Sequence, residues 1–482
     1  MSDNWTYGLF EFGPLIIVVY VFMVMGFYLF LFAIAARKLR SETNIHKVHY
    51  DELLQSSFSP PLSILVPAYN EELNIVESVR SLLGINYSGY EIIVINDGSK
   101  DRTKEKILAE FDMYAIRHQV LWSGLKKDTK PILGVYRSRK HPSLFFLDKE
   151  NGGKADALNA GINFSHYPYF VSLDGDTVLD TDAFLKIMKP IVEARPGEEI
   201  IGSGGSVGIA NGSLIDQGHL GIEDVRLSSK PIVIMQVIEY LRAFLMGRIG
   251  LSQYNMLLIV SGAFGVFRKD WVLEAGGYEV GTIGEDMELI VRLHRLIREK
   301  KSKAKIAYIP DPVCWTEAPE TLSILKRQRV RWQRGLFESL WNHRKMILNP
   351  RFGRVGLVAM PYFLFVELLG PVVEALGYMI LAAGLISGQM DILFSFLLML
   401  SMLLYGSFLS MGSVLLEDWT LNKYKRISDV TKLFVWALSE SFWYRPVQTL
   451  WRLEGLFKAV RGKKHEWGEM TRKGIFVETL KK

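Results

Sequence analysis

The chain has 482 residues, 49% hydrophobic and 12% aromatic, with 57 basic against 51 acidic side chains, a net charge of +6. That length excludes a single small module, and a mean hydropathy of +0.14 points to membrane segments before anything else. A single cysteine, Cys314, excludes an intramolecular disulfide or a cysteine-rich metal site, and the charged and apolar content excludes disordered and collagen-like classes.

Residues 14–36 carry no charge and are long enough to cross a hydrocarbon layer of about 30 Å. The run is too long for a cleaved signal peptide and lacks a basic stretch before it. Asp3 and Glu11 precede it, and Arg37, Lys38 and Arg40 follow. The positive-inside tendency therefore places the N-terminus outside and the rest from residue 37 in the cytosol. Residues 41–60 read as a polar linker.

From 61 to about 350 the texture is that of an α/β domain. Short β-branched runs (SILVPAY, EIIVIND, YFVSLDGD) alternate with helical stretches (EELNIVESVRSLL, KADALNAGI), which predicts a mainly parallel, Rossmann-like sheet covered on both faces. Ligands of such sheets bind off the carboxyl ends of the strands. Residues 232–250 read as a core or interfacial helix, and 321–340 as a basic helix near the membrane surface. In the region 351–460, residues 355–390 fit an interfacial helix followed by a span, kinked at Pro361 and Pro371. Residues 392–416 form a charge-free span followed by Lys423, Lys425 and Arg426. Residues 433–457 are interrupted by Glu440, Arg445 and Pro446, and are expected to be a broken hairpin that returns the basic tail 461–482 to the cytosol. Glu367, Glu374 and Glu440 in apolar surroundings either line a polymer channel or pair with Arg445 or Arg452.

Asp174 and Asp176, two apart after an apolar strand, can converge on one hard divalent cation; a turn or cap role fits the bare motif as well. Asp97 ends another strand, as a turn acid or an acceptor for a base or ribose, and Tyr69 and Glu71 end a third. Lys154 follows a glycine turn and opens a helix, where it serves a phosphate or is merely solvated; the P-loop spacing is absent. Asp286, after Glu285, is either a helix-start acid or a general base toward an acceptor hydroxyl. Gln328, Arg331 and Trp332 share one helical face and offer an amide, a phosphate clamp and a flat ring.

As an ordered set, PAYNEE, INDGS, GGKADALN, LDGD, GED and QRVRW across residues 61–332 closely resemble the membrane-integrated processive synthases of glycosyltransferase family 2 (cellulose, chitin, hyaluronan and poly-N-acetylglucosamine synthases). SGAFGVFR at 261–268 is similar to the family's acceptor-site strand. The resemblance implies a GT-A-type α/β domain joined to transmembrane helices. It places Ala68, Tyr69 and Glu71 at the uridine, Asp97 at the uracil or ribose, and Lys154 and Asp174 at the nucleotide. Asp176, with Asp174, would coordinate Mg²⁺ or Mn²⁺. Asp286 would be the base, where Gly284 replaces the family's threonine, and Glu285, Gln328, Arg331 and Trp332 would form the acceptor and diphosphate side. HEWGEMTR resembles a gating loop, with Trp467 and Arg472 separated by two extra residues.

The activity implied is inverting transfer from a UDP-sugar, UDP-GlcNAc first and UDP-glucose next, to a β-linked polysaccharide that leaves through the plasma membrane. A transferase acting on a lipid-linked acceptor and an inactive membrane scaffold are the competing readings. The expected partners are a UDP-sugar donor, a polysaccharide acceptor, the lipid bilayer and a small membrane partner subunit, with no nucleic acid.

Overall fold

The computed structural model describes residues 3–42, 59–116, 124–125, 128–175, 177–213, 225–388 and 391–462. Asp176, Trp467, Arg472 and the basic tail lie outside them. Helix α1 (Asp3–Glu42) precedes β1 (Leu62–Ala68), α2 (Ile75–Leu83), β2 (Tyr90–Asp97), α3 (Thr103–Glu110), β3 (Met113–Ala115), β4 (Ile132–Ser138) and β5 (Leu144–Lys149). Then follow α4 (Lys154–Phe164), β6 (Tyr169–Leu173), β7 (Val178–Leu179), α5 (Ala183–Val192) and β8 (Ile200–Ile209). Helix α6 (Pro231–Leu241) continues through a π-helical Arg242–Arg248 to Ser252, and β9 (Phe264–Arg268), α7 (Lys269–Ala275), α8 (Glu285–Glu299), β10 (Lys305–Thr316) and α9 (Leu322–Asn342) complete the α/β part. Beyond it come a helical stretch Val355–Leu368, α10 (Gly370–Ile386), α11 (Ile392–Thr420) and α12 (Ile427–Val460).

The strands form one ten-stranded sheet in the order β3-β4-β5-β2-β1-β6-β9-β8-β10-β7. The expected parallel order holds at its centre, where β5, β2, β1 and β6 run together. β9 runs antiparallel to both β6 and β8, so the sheet as a whole is mixed. The central strands are buried along almost their whole length, because helices cover both faces and every side chain must be apolar or paired. The parallel centre sends the ends of β1, β2 and β6, with their loops, to one edge.

Among the described residues, two helices are long and apolar enough to cross a membrane, Pro14–Ser41 and Ser395–Thr420, and a third crossing arises if Val355–Leu368 and Gly370–Ile386, bent by 43°, count as one. The bend falls at Leu369, between the two proline-bearing stretches. Helix α6 is a core helix: it is wedged between β8 and the helices α11 and α12, with Val233–Ile238 buried.

The expected broken hairpin at 433–457 is overturned, since α12 is one continuous helix through Pro446. Of the residues that read as breaks, Glu440 carries an ion pair. Glu440 meets Arg242 of the π-helical turn at 2.8 Å, and Thr449 donates to the Arg445 carbonyl at 3.1 Å and to Glu374 at 2.9 Å. Packing along α6, α9 and α11 offsets the hydrogen bond that Pro446 forgoes. Of the three acids, Glu367 pairs with Arg452 at 3.3 Å, as one reading anticipated, while the partner of Glu440 is neither Arg445 nor Arg452.

Candidate active site

The loops after β1 and β2 are laced together. Asn70, with φ of 56°, donates its amide to Ser99 Oγ at 3.0 Å and accepts from the Lys100 amide at 2.8 Å. The Glu71 amide donates to Thr103 Oγ1 at 2.9 Å. Ala68 is buried, whereas Tyr69 stands 46% exposed over this edge. The loop after β6 closes on the same place, with Ser78 Oγ donating to the Gly175 carbonyl at 2.7 Å.

Asp97 faces the protein. Its Oδ1 pairs with Lys149 Nζ at 2.7 Å and accepts the Gly152 amide at 3.0 Å, and its Oδ2 accepts the Gly153 amide at 2.8 Å. Lys149, fully buried, also meets Asp156 at 2.7 Å and the Glu150 carbonyl. What Asp97 does directly is hold the glycine turn. The turn needs its glycines: a Cβ on Gly152 would fall 2.5 Å from Asp156 Oδ1, and Gly153 has φ of +87°. Lys154 emerges from this turn as the first residue of α4.

Lys154 Nζ lies 2.6 Å from Asp174 Oδ1 and 3.4 Å from Glu285 Oε1 and from the Gly262 carbonyl. Gly262 in turn donates its amide to Asp286 Oδ2 at 3.1 Å. One lysine and three carboxylates therefore meet at the carboxyl edge, with Gly262 between the lysine and Asp286. Burial works against the charge on Lys154, but Asp174, Glu285 and Asp286 outweigh it and push its pKa above the usual range. Burial raises the Glu285 pKa; Lys154 pulls it back and Asp286 pushes it further up. Asp286 sits in the first turn of α8, as its reading as a helix-start acid expects.

Gln328, Arg331, Trp332, Gly335 and Glu338 form one stripe of α9, at i, i+3, i+4, i+7 and i+10. The stripe faces the Asp286 loop. Gly335 touches Gly284, and Glu338 accepts the Ile283 amide at 2.9 Å. Gln328 and Arg331 are half-buried and Trp332 is 43% exposed. The basic helix expected near the membrane surface is thus packed between α8 and α12.

Several positioning residues escaped the sequence reading. Lys149 stands at a strand end, and only its i+7 spacing to Asp156 and the facing Asp97 mark it. Asn159 holds the loop after α7 by a two-way bond with the Tyr278 backbone, at 2.7 and 2.9 Å. Gly262 lay within a recognised motif, without a role.

Among the described residues no cluster of three or more metal-type side chains stands ready, and Asp174 is the one candidate ligand in view.

Three family models match the chain: glycosyl transferase family 2 over residues 63–198, glycosyltransferase-like family 2 over 136–335, and chitin synthase over 280–479. Poly-β-1,6-N-acetyl-D-glucosamine synthases of Staphylococcus aureus and Staphylococcus epidermidis are 30% and 31% identical over 282 residues, covering 58% of this chain. The chain spans about half the length of these curated relatives, 55%. Among solved structures, a mannosyltransferase of Pyrobaculum calidifontis in complex with GDP-Man and Mn²⁺ aligns with 86% of this chain and 99% of its own, at 16% identity and a TM-score of 0.47. The mixed Rossmann-like sheet with its loops at one carboxyl edge is of GT-A type. Residues 63–335 of the chain are thus similar to glycosyltransferase family 2, and residues 280–479 to chitin synthase.

Proposed function

We propose that the protein transfers a sugar from a UDP-sugar, UDP-GlcNAc before UDP-glucose, with inversion onto a growing β-linked polysaccharide, and that it does so from a multi-pass position in the cell membrane. The observation that carries this is the meeting of Asp286, Lys154 and Asp174 at one sheet edge, with the helix of Gln328, Arg331 and Trp332 joined to the Asp286 loop through Gly335 and Glu338. The names of the staphylococcal relatives favour N-acetylglucosamine as the sugar.

In this reading the Asp286 carboxylate takes the proton from the acceptor hydroxyl, whose oxygen bonds to the sugar's anomeric carbon. The bond from that carbon to the diphosphate breaks, and UDP leaves with the electron pair. Lys154 and Arg331 offset the charge that develops on the leaving group. With a single base and no second carboxylate acting as nucleophile, displacement is direct and an α-linked donor gives a β-linkage. Two hard carboxylates, Asp174 and Asp176, suit Mg²⁺ or Mn²⁺, which would neutralise the diphosphate. Lys154 occupies Asp174 meanwhile, so the pair keeps the site's acids together until the donor arrives. Trp332 offers a flat apolar face to the acceptor sugar. Trp467 and Arg472 are retained from the sequence as gating residues.

Arg37 to Arg40 at the end of α1 and Lys423 to Arg426 after α11 support a cytosolic catalytic domain with the N-terminus outside, with Val355–Leu368 and Gly370–Ile386 as the crossing between them. Glu367, Glu374 and Glu440, with their partners, supply polar groups among the apolar helices for an exit path.

The test is UDP release by protein held in nanodiscs, with Mg²⁺ or Mn²⁺, over a panel of UDP-sugars, with products sized after linkage-specific digestion. Metal-dependent turnover of UDP-GlcNAc giving a long β-linked product is expected. A single added sugar would instead assign a lipid-linked acceptor, and no turnover with any donor would overturn the proposal.

A further inference from the structure

Between Gln328 and Arg331 lies Arg329, a side chain that the family resemblance leaves without a role. It points away from the stripe yet touches two of its members. Arg329 is 3% exposed. Its guanidinium carbon sits 4.2 Å from the centroid of the Trp332 ring, and its Nη1 donates to Gln328 Oε1 at 3.3 Å. Its Nη2 donates to Glu239 Oε2 at 2.7 Å. That same oxygen accepts from Tyr444 at 3.0 Å and from Gln448 at 2.9 Å. Three helices thus converge on one carboxylate, which fixes one arginine, which covers one face of one indole.

Burying a guanidinium is costly unless its donors are met by charge and geometry. Here its carbon sits over an aromatic ring, with Nη1 and Nη2 directed at an amide and a carboxylate and Nε without a hydrogen-bond partner among the described residues. An indole that reaches the surface has rotamers to choose from, and a cation against one face removes that freedom. It also settles which face of Trp332 remains open to a ligand.

We infer that Arg329 is a positioning residue for the acceptor sugar: it locks the Trp332 ring and the Gln328 amide, and Glu239, with Tyr444 and Gln448 behind it, locks Arg329. The inference rests on the proposed acceptor role of Trp332. It extends the acceptor site to α6 and α12, so that the sugar's platform is held from the apolar helices. Arg329 itself touches neither donor nor acceptor.

The test uses the full chain in nanodiscs and four variants, Arg329→Met, Arg329→Lys, Glu239→Gln and Trp332→Ala. Each is assayed for donor KM, donor hydrolysis without acceptor, acceptor KM with a short β-linked oligosaccharide, and product length. Arg329→Met is expected to raise the acceptor KM about fivefold or more, the order of one cation–π contact, and to shorten the product, with donor KM and hydrolysis unchanged. Glu239→Gln should move the same two quantities by less. Arg329→Lys keeps a charge for Glu239 but loses the plane, and should show the acceptor defect in a protein that folds. An equal fall in hydrolysis and elongation would mark a merely structural role and overturn the inference. If Arg329→Met does not fold, Arg329→Lys decides, and a normal acceptor KM there overturns the inference. Trp332→Ala separates the two levels. If it too leaves the acceptor KM unchanged, the acceptor reading of the site has failed. If it raises that KM while Arg329→Lys does not, the positioning role alone is refuted.

Discussion

Gly284 and Gly335 meet backbone against backbone: a methyl group on Gly335 would fall 3.0 Å from the Gly284 nitrogen, and one on Gly284 would fall 3.2 Å from the Gly335 Cα. Two residues after Gly284 comes Asp286, and three before Gly335 comes Trp332. The contact therefore sets how far Asp286 stands from Trp332. It also explains why a glycine stands where the resembling family has a threonine.

Gly335→Ala should separate stability from activity. Alanine is favoured over glycine within a helix by about 1 kcal/mol, so an unhindered site would gain stability. Here the added carbon meets main chain, which cannot swing aside, and α9 must shift. Misplacement near 1 Å can cost about 100-fold in rate, so a fall in UDP release of about tenfold or more is expected, without the gain in melting temperature that propensity alone would bring. Turnover and thermal unfolding of the same preparation check both halves.

Asp286→Asn removes the proton acceptor and keeps the shape. Transfer should fall by about 10²–10⁴, the usual contribution of a positioned base, while UDP affinity measured by calorimetry stays near normal. Near-normal turnover would dismiss Asp286 as the base.

Lys149→Met strands two carboxylates. With Lys149 fully buried between Asp97 and Asp156, losing the ammonium should destabilise the fold by about 3–5 kcal/mol. A denaturant titration reads the loss directly. A solvated lysine would give almost none.

Glu285→Gln tests the buried acid. Because burial raises the Glu285 pKa, the folded chain holds this proton more tightly than the unfolded one. The group therefore costs no stability below the ordinary carboxylate range of about 4.3, and withdraws stability as pH rises from there through its raised value. The variant lacks that term. Its melting temperature relative to wild type should climb from pH 4 to pH 8, and a difference independent of pH would contradict the shift.

Much of this architecture could be read from local pattern. The runs SILVPAY, EIIVIND and YFVSL became β1, β2 and β6 because short β-branched stretches between turn residues have few other ways to bury themselves. Lys154, Asp174, Glu285 and Asp286 stood at strand ends and helix starts, and the sheet gathered them. Long-range partnership was hidden. Nothing local to EIIVIND says that Asp97 will be claimed by Lys149, and nothing local to Arg445-Pro446 says that helix α12 will pass unbroken. Both outcomes depend on side chains far away in the chain, Asp156 in one case and Arg242 in the other. Glu239 and Arg329 are likewise ordinary charges on helical surfaces until the two helices meet.

Helix α12 adjoins α9 closely, since a Cβ on Gly455 would lie 2.9 Å from both Gln333 Cβ and the Val330 carbonyl, and Arg452 donates to Gln333 Oε1 at 3.0 Å. During synthesis α9 is made first and waits for α12. Until then Gln333 lacks Arg452, Glu239 lacks Tyr444 and Gln448, and the groove that receives Gly455 is empty. The helix that carries Gln328, Arg331 and Trp332 thus gains its last partners only after α12 has emerged and packed, so a half-made chain would carry Lys154, Asp174 and Asp286 before that helix is held in place.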